Sequence, residues 1–102
     1  ELDGFQSIQR MQPGVELVAH TDKYTDPSIE YATILYLNDD YTNGELFFKN
    51  KNFTIKPNSR SLLIFPGTDE FEHGVSLVED GPTRYVLVGF IKVKNFYKNK
   101  KK

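Results

Sequence analysis

The stretch RYVLVGFIKV, residues 84–93, has the strongest β-strand character in the chain. It is rich in β-branched and aromatic residues. Side chains alternate between the two faces of a strand, and here both faces are apolar. That pattern predicts a central strand with cover on both sides. Arg84 begins the strand on a face that continues with Val86 and Val88. Its guanidinium must reach water or meet an anion, because an unpaired buried charge is costly.

Six more strand-like runs precede this stretch, separated by segments rich in Gly, Pro, Asn, Asp and Ser, which favour turns. The runs are VELVAHT (15–21), EYATILYL (30–37), ELFFKN (45–50), FTIK (53–56), SLLIFP (61–66) and GVSLV (74–78). No window combines helical periodicity with helix caps. Asn43 and Gly44 form a candidate tight turn, because both tolerate positive φ. Seven or eight antiparallel strands in about a hundred residues predict an all-β jelly roll of two facing sheets.

Length and composition indicate one globular domain. The 102 residues leave room for a single core, with 38% hydrophobic and 26% charged residues. No apolar run is long enough to cross a bilayer, and no secretory signal is visible at the start, so we expect a cytoplasmic protein with no membrane partner. The absence of cysteine excludes disulfides, cysteine-bound zinc and thiol nucleophiles. Because the chain begins abruptly without Met, we also expect a fragment of a longer protein.

The net charge of −1 is unevenly distributed along the chain. The last eleven residues contain six lysines and no acid, so the rest of the chain carries −7. We therefore divide the chain into a jelly-roll core, residues 1–93, and a lysine-rich tail, residues 94–102. A solvated tail is favoured over one that binds an anionic surface. The acidic core argues against nucleic acid as a partner.

His20 and Asp22, within VELVAHTDKY (15–24), are candidate metal ligands. If this segment is extended, both side chains project to the same side, with Cα atoms about 6.5–7 Å apart. His73 is the only other histidine and begins a later predicted strand. Taken singly, each of these residues is more often a surface or capping residue. Together, two imidazoles and one carboxylate form the facial triad of non-haem Fe(II) oxygenases.

Two further polar residues fit an anion close to such a metal. Arg84 follows His73 by eleven residues, on the next predicted strand, and its planar guanidinium can grip a carboxylate with two hydrogen bonds. Tyr36 shares a strand face with Ala32 and Ile34. If that face is buried, its phenol needs a polar partner, and the same carboxylate would serve.

These segments resemble the catalytic core of 2-oxoglutarate/Fe(II)-dependent dioxygenases, most closely the prolyl 4-hydroxylase type. The resemblance extends from RMQPGVELVAHTD (10–22) to TRYVLVGFIKV (83–93), nearly the whole chain. Between these ends it is carried by ATILYLND (32–39), NGELFF (43–48), IKPNSRSLLIFPG (55–67) and EHGVSLV (72–78). It implies a double-stranded β-helix, with His20, Asp22 and His73 as iron ligands. It also implies Arg84 as the clamp on the distal carboxylate of 2-oxoglutarate, assisted by Tyr36.

The resemblance implies Fe(II), 2-oxoglutarate and O₂ as cofactor and co-substrates, with ascorbate as a candidate reductant. The implied reaction is hydroxylation of a C–H bond, foremost of a prolyl residue in a peptide or protein, with release of succinate and CO₂. A lysyl side chain or a small molecule is an alternative substrate, and a non-catalytic metal-binding jelly roll is an alternative function. A nucleic-acid demethylase is disfavoured, because Phe90 stands where those relatives place a second arginine.

The chain departs from the family pattern at its N-terminal end. Gln12 stands where many prolyl hydroxylases carry a tyrosine before Pro-Gly, and its amide is a candidate hydrogen-bond donor to the co-substrate. The helices and the strand that precede this region in the family are expected to be missing here. That expectation again favours a fragment.

Overall fold

The computed structural model describes residues 2–97, which form mainly antiparallel β-sheet. The strands are β1 (Leu2–Met11), β2 (Leu17–His20), β3 (Ile29–Tyr36), β4 (Thr42–Asn43), β5 (Leu46–Phe48), β6 (Phe53–Ile55), β7 (Leu62–Pro66), β8 (His73–Val75), β9 (Val78–Glu79) and β10 (Arg84–Lys92). A four-residue helix α1 (Asp22–Thr25) and a 3₁₀ helix (Asp69–Phe71) interrupt them. Each of the seven predicted strands has an observed counterpart, and the predicted strand GVSLV is divided between β8 and β9.

The strands form two four-stranded sheets, one in the order β1-β10-β3-β7 and the other in the order β2-β8-β5-β6. The chain passes back and forth between the sheets, and β4 and β9 form a separate ribbon. Buried side chains from both sheets make a single core, with Ile34, Phe65 and Val86 from the first sheet and Leu46 and Val75 from the second. This arrangement confirms the predicted jelly roll.

Strand β10 lies between β1 and β3, as its apolar sequence predicts. Its inner face is buried at Arg84 and Val86, which are both 0% exposed. The predicted cover on the outer face is not provided by residues 2–97, since Tyr85 is 39% exposed there. Ile8 of β1, opposite Leu87 of β10, is 63% exposed. The sheet therefore has one buried face and one largely open apolar face.

Strand β1 precedes the segment PGVELVAHTD, so the expectation that no strand precedes it is wrong, whereas the expectation about the helices stays a prediction. It pairs antiparallel with β10, from Leu2 opposite Ile91 to Met11 opposite Arg84, with two irregularities near its start. Its sequence, LDGFQSIQRM, contains Gly and several polar residues and has little apolar alternation. This segment is a strand because it pairs with β10, and its own residue pattern does not predict it.

Strands β2 and β8 approach each other unusually closely beside the candidate ligands. Gly74 follows His73 in β8, and a Cβ at this position would lie 2.5 Å from the Leu17 carbonyl oxygen and 2.6 Å from Phe47 Cζ. Only glycine fits that space without displacing a strand. The backbone thus brings the last residue of β2, His20, opposite the first residue of β8, His73.

The predicted turn at Asn43 and Gly44 has the expected positive φ values, 61° and 60°. It does not close a hairpin, because β4, which ends at Asn43, pairs with β9, and the next strand, β5, belongs to another sheet. At the other end of the chain, β10 ends at Lys92, and the Tyr97 hydroxyl donates to Asp26 Oδ1 at 2.6 Å. Residues 98–102 of the predicted lysine-rich tail lie outside the described residues, and the boundary at residue 93 stays a prediction. Within residues 2–97, no helix has the length and apolar composition that a membrane span requires.

Candidate metal centre

His73 meets the candidate ligands His20 and Asp22, which lie far from it in sequence, at one end of the β2–β8 pair. One ligand atom from each of His20, Asp22 and His73 lies within 4.8 Å of the other two. The His20 and His73 rings are 4.4 Å apart between centroids. A set of two imidazole nitrogens and one carboxylate, with open positions beside it, suits non-haem iron.

Asp22 reaches this position through a local break in the strand. Thr21 is still extended, with φ −114° and ψ 122°, but Asp22 opens helix α1. The amide of Lys23 donates to the Gly67 carbonyl at 3.0 Å, which ties this helix to the end of β7. The predicted same-side projection of His20 and Asp22 therefore arises at a strand-to-helix junction, whereas the sequence pattern had suggested a continuous strand.

Both histidines are oriented by a backbone carbonyl two residues earlier in the chain. His73 Nδ1 lies 2.9 Å from the Phe71 oxygen, and His20 Nδ1 lies 3.3 Å from the Val18 oxygen. A carbonyl only accepts, so the proton is assigned to Nδ1 in each ring, and Nε2 keeps its lone pair. The Nε2 atoms face Asp22: His20 Nε2 lies 3.3 Å from Oδ1, and His73 Nε2 lies 3.7 Å from Oδ2.

Burial and charge act differently on the two histidines. His73 is 5% exposed and packs against the edge of Phe65, and burial lowers its pKa, which favours the neutral imidazole that binds metals. His20 is more exposed, and the Asp22 carboxylate raises its pKa, because it can accept a hydrogen bond from Nε2 of the protonated ring. Asp22 is 6% exposed, and its Oδ2 has no hydrogen-bond partner among the described residues. A buried carboxylate oxygen without a donor, facing two imidazoles, fits a bound cation.

Arg84 is fully buried and has no anionic partner within the described part of the chain. Its Nη1 donates to Gln9 Oε1 at 3.1 Å and contacts Met11 Sδ at 3.3 Å, and its Nε is unpaired. None of the ion pairs between described residues includes Arg84. Tyr36 is the remaining partner, with its hydroxyl 3.4 Å from Nη2. No described residue is the anion that the sequence offered, beside water, as the partner of Arg84, so an anionic ligand at this position stays a prediction.

Three residues around Arg84 were not singled out from the sequence: Gln9, Met11 and Tyr41. Tyr41 is 1% exposed, its ring lies 5.9 Å from Arg84 Cζ, and burial raises the pKa of its phenol. Gln9 and Met11 are two residues apart on β1, the spacing of one strand face. That spacing was the available signal, but it has meaning only once residues 2–11 are recognised as a strand. Gln12, the residue that the sequence did suggest, is exposed.

Two cavities meet at the candidate ligands. The first, of about 210 Å³, is lined by His20, Asp22, His73 and Arg84 together with Gln9 and apolar side chains. The second, of about 300 Å³, shares His20, Asp22 and Phe90 with the first and is otherwise lined by Thr25, Asp26, Ile29 and Lys92. Tyr36 lines neither cavity. Two of the three candidate ligands, His20 and Asp22, therefore line both cavities.

Comparison with known proteins gives the family. The model of the 2OG-Fe(II) oxygenase superfamily matches residues 6–92. The chain therefore belongs to the 2OG-Fe(II) oxygenase superfamily, for which Fe(II), 2-oxoglutarate and O₂ are the implied cofactor and co-substrates.

Curated relatives are prolyl hydroxylases by name. Prolyl 3-hydroxylase 2 of Homo sapiens is 33% identical over 66 residues, which cover 60% of this chain and 9% of that protein. Prolyl 3-hydroxylase 3 of Mus musculus is 37% identical over 57 residues, which cover 51% of this chain and 8% of that protein. The chain thus spans less than a tenth of the length of these relatives.

Solved structures show the same fold. A viral collagen prolyl hydroxylase from Paramecium Bursaria Chlorella virus-1 superimposes with a TM-score of 0.74 at 20% identity, covering 84% of this chain and 56% of that one. A Pseudomonas putida prolyl-4-hydroxylase superimposes with a TM-score of 0.71 at 25% identity, covering 85% of this chain and 50% of that one. The chain therefore shares its jelly-roll fold with these prolyl hydroxylases.

Proposed function

We propose that the chain is the catalytic core of an Fe(II)- and 2-oxoglutarate-dependent hydroxylase that acts on a prolyl residue of a peptide or protein and releases succinate and CO₂. One observation carries the proposal: a single cavity is lined both by the His20–Asp22–His73 set and by Arg84, a buried cation without an anionic partner among residues 2–97. A cavity that could hold both a metal and a carboxylate ligand matches the chemistry of this superfamily.

The side chains have separate roles in the proposal. His20, Asp22 and His73 would hold Fe(II), which supplies the oxidising chemistry on O₂ while the residues orient and enclose the reactants. Arg84 would bind the distal carboxylate of 2-oxoglutarate with its unused N–H groups. Tyr36 would act behind Arg84, since its hydroxyl lies 3.4 Å from Nη2 and the ring does not line the cavity. Apolar side chains such as Ile34 and Val88 would exclude water from the rest of the cavity.

The second cavity is the proposed entry of the oxidisable substrate. It is lined by the same His20 and Asp22, and Ile29 and Phe90 give it apolar walls that suit a pyrrolidine ring. Relatives named prolyl 3-hydroxylase and structural neighbours named prolyl-4-hydroxylase both support a prolyl substrate. They differ in the ring carbon, so the position of hydroxylation has to be read from the product.

The decisive experiment incubates the chain with Fe(II), 2-oxoglutarate, ascorbate and a panel of proline- and lysine-containing peptides. We expect succinate formation and a gain of one oxygen on a prolyl residue, with the carbon identified by NMR of the product. The Asp22→Ala variant is the negative control, and Asp80→Ala, which removes an exposed carboxylate in the β9–β10 turn, is the matched control. Oxygen gained on lysine would replace the prolyl assignment. Mn(II) binding without succinate formation would indicate a metal-binding module without turnover.

A further inference from the structure

Gln9 is the polar side chain that shares the first cavity with Arg84 and the three candidate ligands. The other side chains that line this cavity are all apolar. Gln9 lies opposite Val86 in the β1–β10 pair, so it is a diagonal neighbour of Arg84 on the same face of the sheet. Its Oε1 accepts a hydrogen bond from Arg84 Nη1 at 3.1 Å. The carboxamide is thus held beside the guanidinium at the wall of the cavity.

The other neighbours of Arg84 do not offer a comparable donor to a ligand in this cavity. Met11 Sδ is a weak acceptor without a hydrogen to donate, and Tyr36 and Tyr41 are buried and do not line the cavity. The Gln9 amide nitrogen carries two N–H donors, and Arg84 cannot use them because a guanidinium has no acceptor. An anion bound to Arg84 in this cavity would therefore find its additional neutral donor at Gln9.

We propose that Gln9 is a second binding residue for the distal carboxylate of 2-oxoglutarate, donating an amide N–H to one carboxylate oxygen while Arg84 binds the other. This inference rests on the proposed function, because it assumes that the dicarboxylic acid occupies the first cavity. It assigns to Gln9 the contact that the sequence suggested for Gln12, whose side chain is exposed and lies outside this cavity. It also predicts that Gln9 affects only ligands that carry a distal carboxylate.

The test measures affinity by isothermal titration calorimetry with Mn(II) in place of Fe(II), so that no turnover occurs. Two ligands are compared: 2-oxoglutarate, and 2-oxobutanoate, which has the same 2-oxo acid group but no distal carboxylate. Gln9→Ala is expected to weaken 2-oxoglutarate binding by about tenfold or more, the effect of losing a hydrogen bond to a charged group. Binding of 2-oxobutanoate should stay within about twofold of wild type, since a twofold change is less than one weak hydrogen bond.

Two further variants sharpen the result. Gln12→Ala is the matched control from the same end of β1 and should bind both ligands as wild type does. Gln9→Met keeps the length of the side chain without the donors and should behave as Gln9→Ala, which guards against a folding defect in the smaller variant. Thermal unfolding without ligand establishes that each variant is folded.

The possible outcomes distinguish a failure of the proposed role of Gln9 from a failure of the proposed function. Wild-type binding of 2-oxoglutarate with unchanged affinity in Gln9→Ala and Gln9→Met overturns the role of Gln9 alone. Equal losses for 2-oxoglutarate and 2-oxobutanoate also overturn it, because a general distortion of the site would then explain the result. Absence of 2-oxoglutarate binding to the wild-type protein overturns the proposed function and this inference with it.

Discussion

His20 and His73 lie directly opposite each other on paired antiparallel strands, with their rings 4.4 Å apart. The carboxylate of Asp22 faces both Nε2 atoms, at 3.3 Å and 3.7 Å. Each ring is fixed by a backbone carbonyl at its Nδ1 atom. The site is therefore pre-organised by the β2–β8 pairing, and the following predictions test what that pairing and its surroundings contribute.

Removal of one candidate ligand should abolish tight metal binding. Replacing a residue that only hydrogen-bonds to a metal ligand lowers metal affinity by about 10–100-fold. We expect His20→Ala, Asp22→Ala and His73→Ala each to weaken Mn(II) binding by more than this, because each removes a ligand itself. Calorimetry with Mn(II) measures the affinity, and succinate release measures the reaction. Asp80→Ala should match the wild type in both assays. Unchanged turnover in any of the three ligand variants would contradict the assignment of that residue as an iron ligand.

Replacing Arg84 should remove the binding of 2-oxoglutarate without lowering the stability of the ligand-free protein. Arg84 is 0% exposed and lacks an anionic partner among residues 2–97, so no ion pair offsets its desolvation in the ligand-free protein. Arg84→Met should therefore be as stable as wild type or more stable without ligand, because buried charges are often replaced by apolar groups at no cost. The rise in melting temperature that 2-oxoglutarate causes in the wild type should disappear. A variant that retains this rise would reject Arg84 as the carboxylate clamp.

Gly74→Ala should damage the fold and the metal site together. The new methyl group would lie 2.5 Å from the Leu17 oxygen and 2.6 Å from Phe47 Cζ, so β2 and β8 must separate. Overpacking of this kind costs about 1–3 kcal/mol, and here it also moves His73 away from His20. Urea unfolding gives the stability, and Mn(II) titration gives the affinity. Glu79→Ala, at an exposed position of β9, serves as the comparison. If Gly74→Ala is as stable as the wild type, the space between β2 and β8 can accommodate a methyl group and the prediction is wrong.

Asp26 should stabilise the protein in a pH-dependent way. Its carboxylate accepts hydrogen bonds from Tyr97 and Ser28 and lies 3.3 Å from Lys92 Nζ, and these contacts, Tyr97 foremost, hold its pKa well below the usual range. A lowered folded-state pKa means that the stabilisation is complete above the unfolded-state value of about 3.9 and is lost as the pH falls below it.

Asp26→Asn should therefore cost about 0.5–1 kcal/mol at pH 7, the range of a partly exposed ion pair. The difference from wild type should shrink as the pH is lowered through 4 towards 3. Thermal unfolding at several pH values measures it, with Asp80→Asn as the control. A difference that is constant between pH 7 and pH 3 would mean that the carboxylate charge has no part in the effect.

Most of the strands and the residue types of the site were predictable from the sequence. Alternation and turn residues act over a few neighbouring positions, which is why β3, β7 and β10 lie where the pattern places them. Strand β1 was missed for the opposite reason. Its residues carry little local signal, and its pairing with β10 joins the two ends of the chain. The open outer face of the first sheet could not be predicted either, because an apolar pattern along a strand does not indicate what covers that face.

By itself the sequence determined an all-β chain with two histidines, a neighbouring aspartate and a strand-initiating arginine in the order of an iron oxygenase. The tertiary structure alone decided which atoms meet. It brings His73 opposite His20, turns Asp22 towards both through the short helix α1, and leaves Arg84 buried without a carboxylate among the described residues. It also selects Gln9 over Gln12 as the amide beside Arg84. Residue type is a local property of the chain, whereas these distances depend on strand pairs formed across long sequence separations.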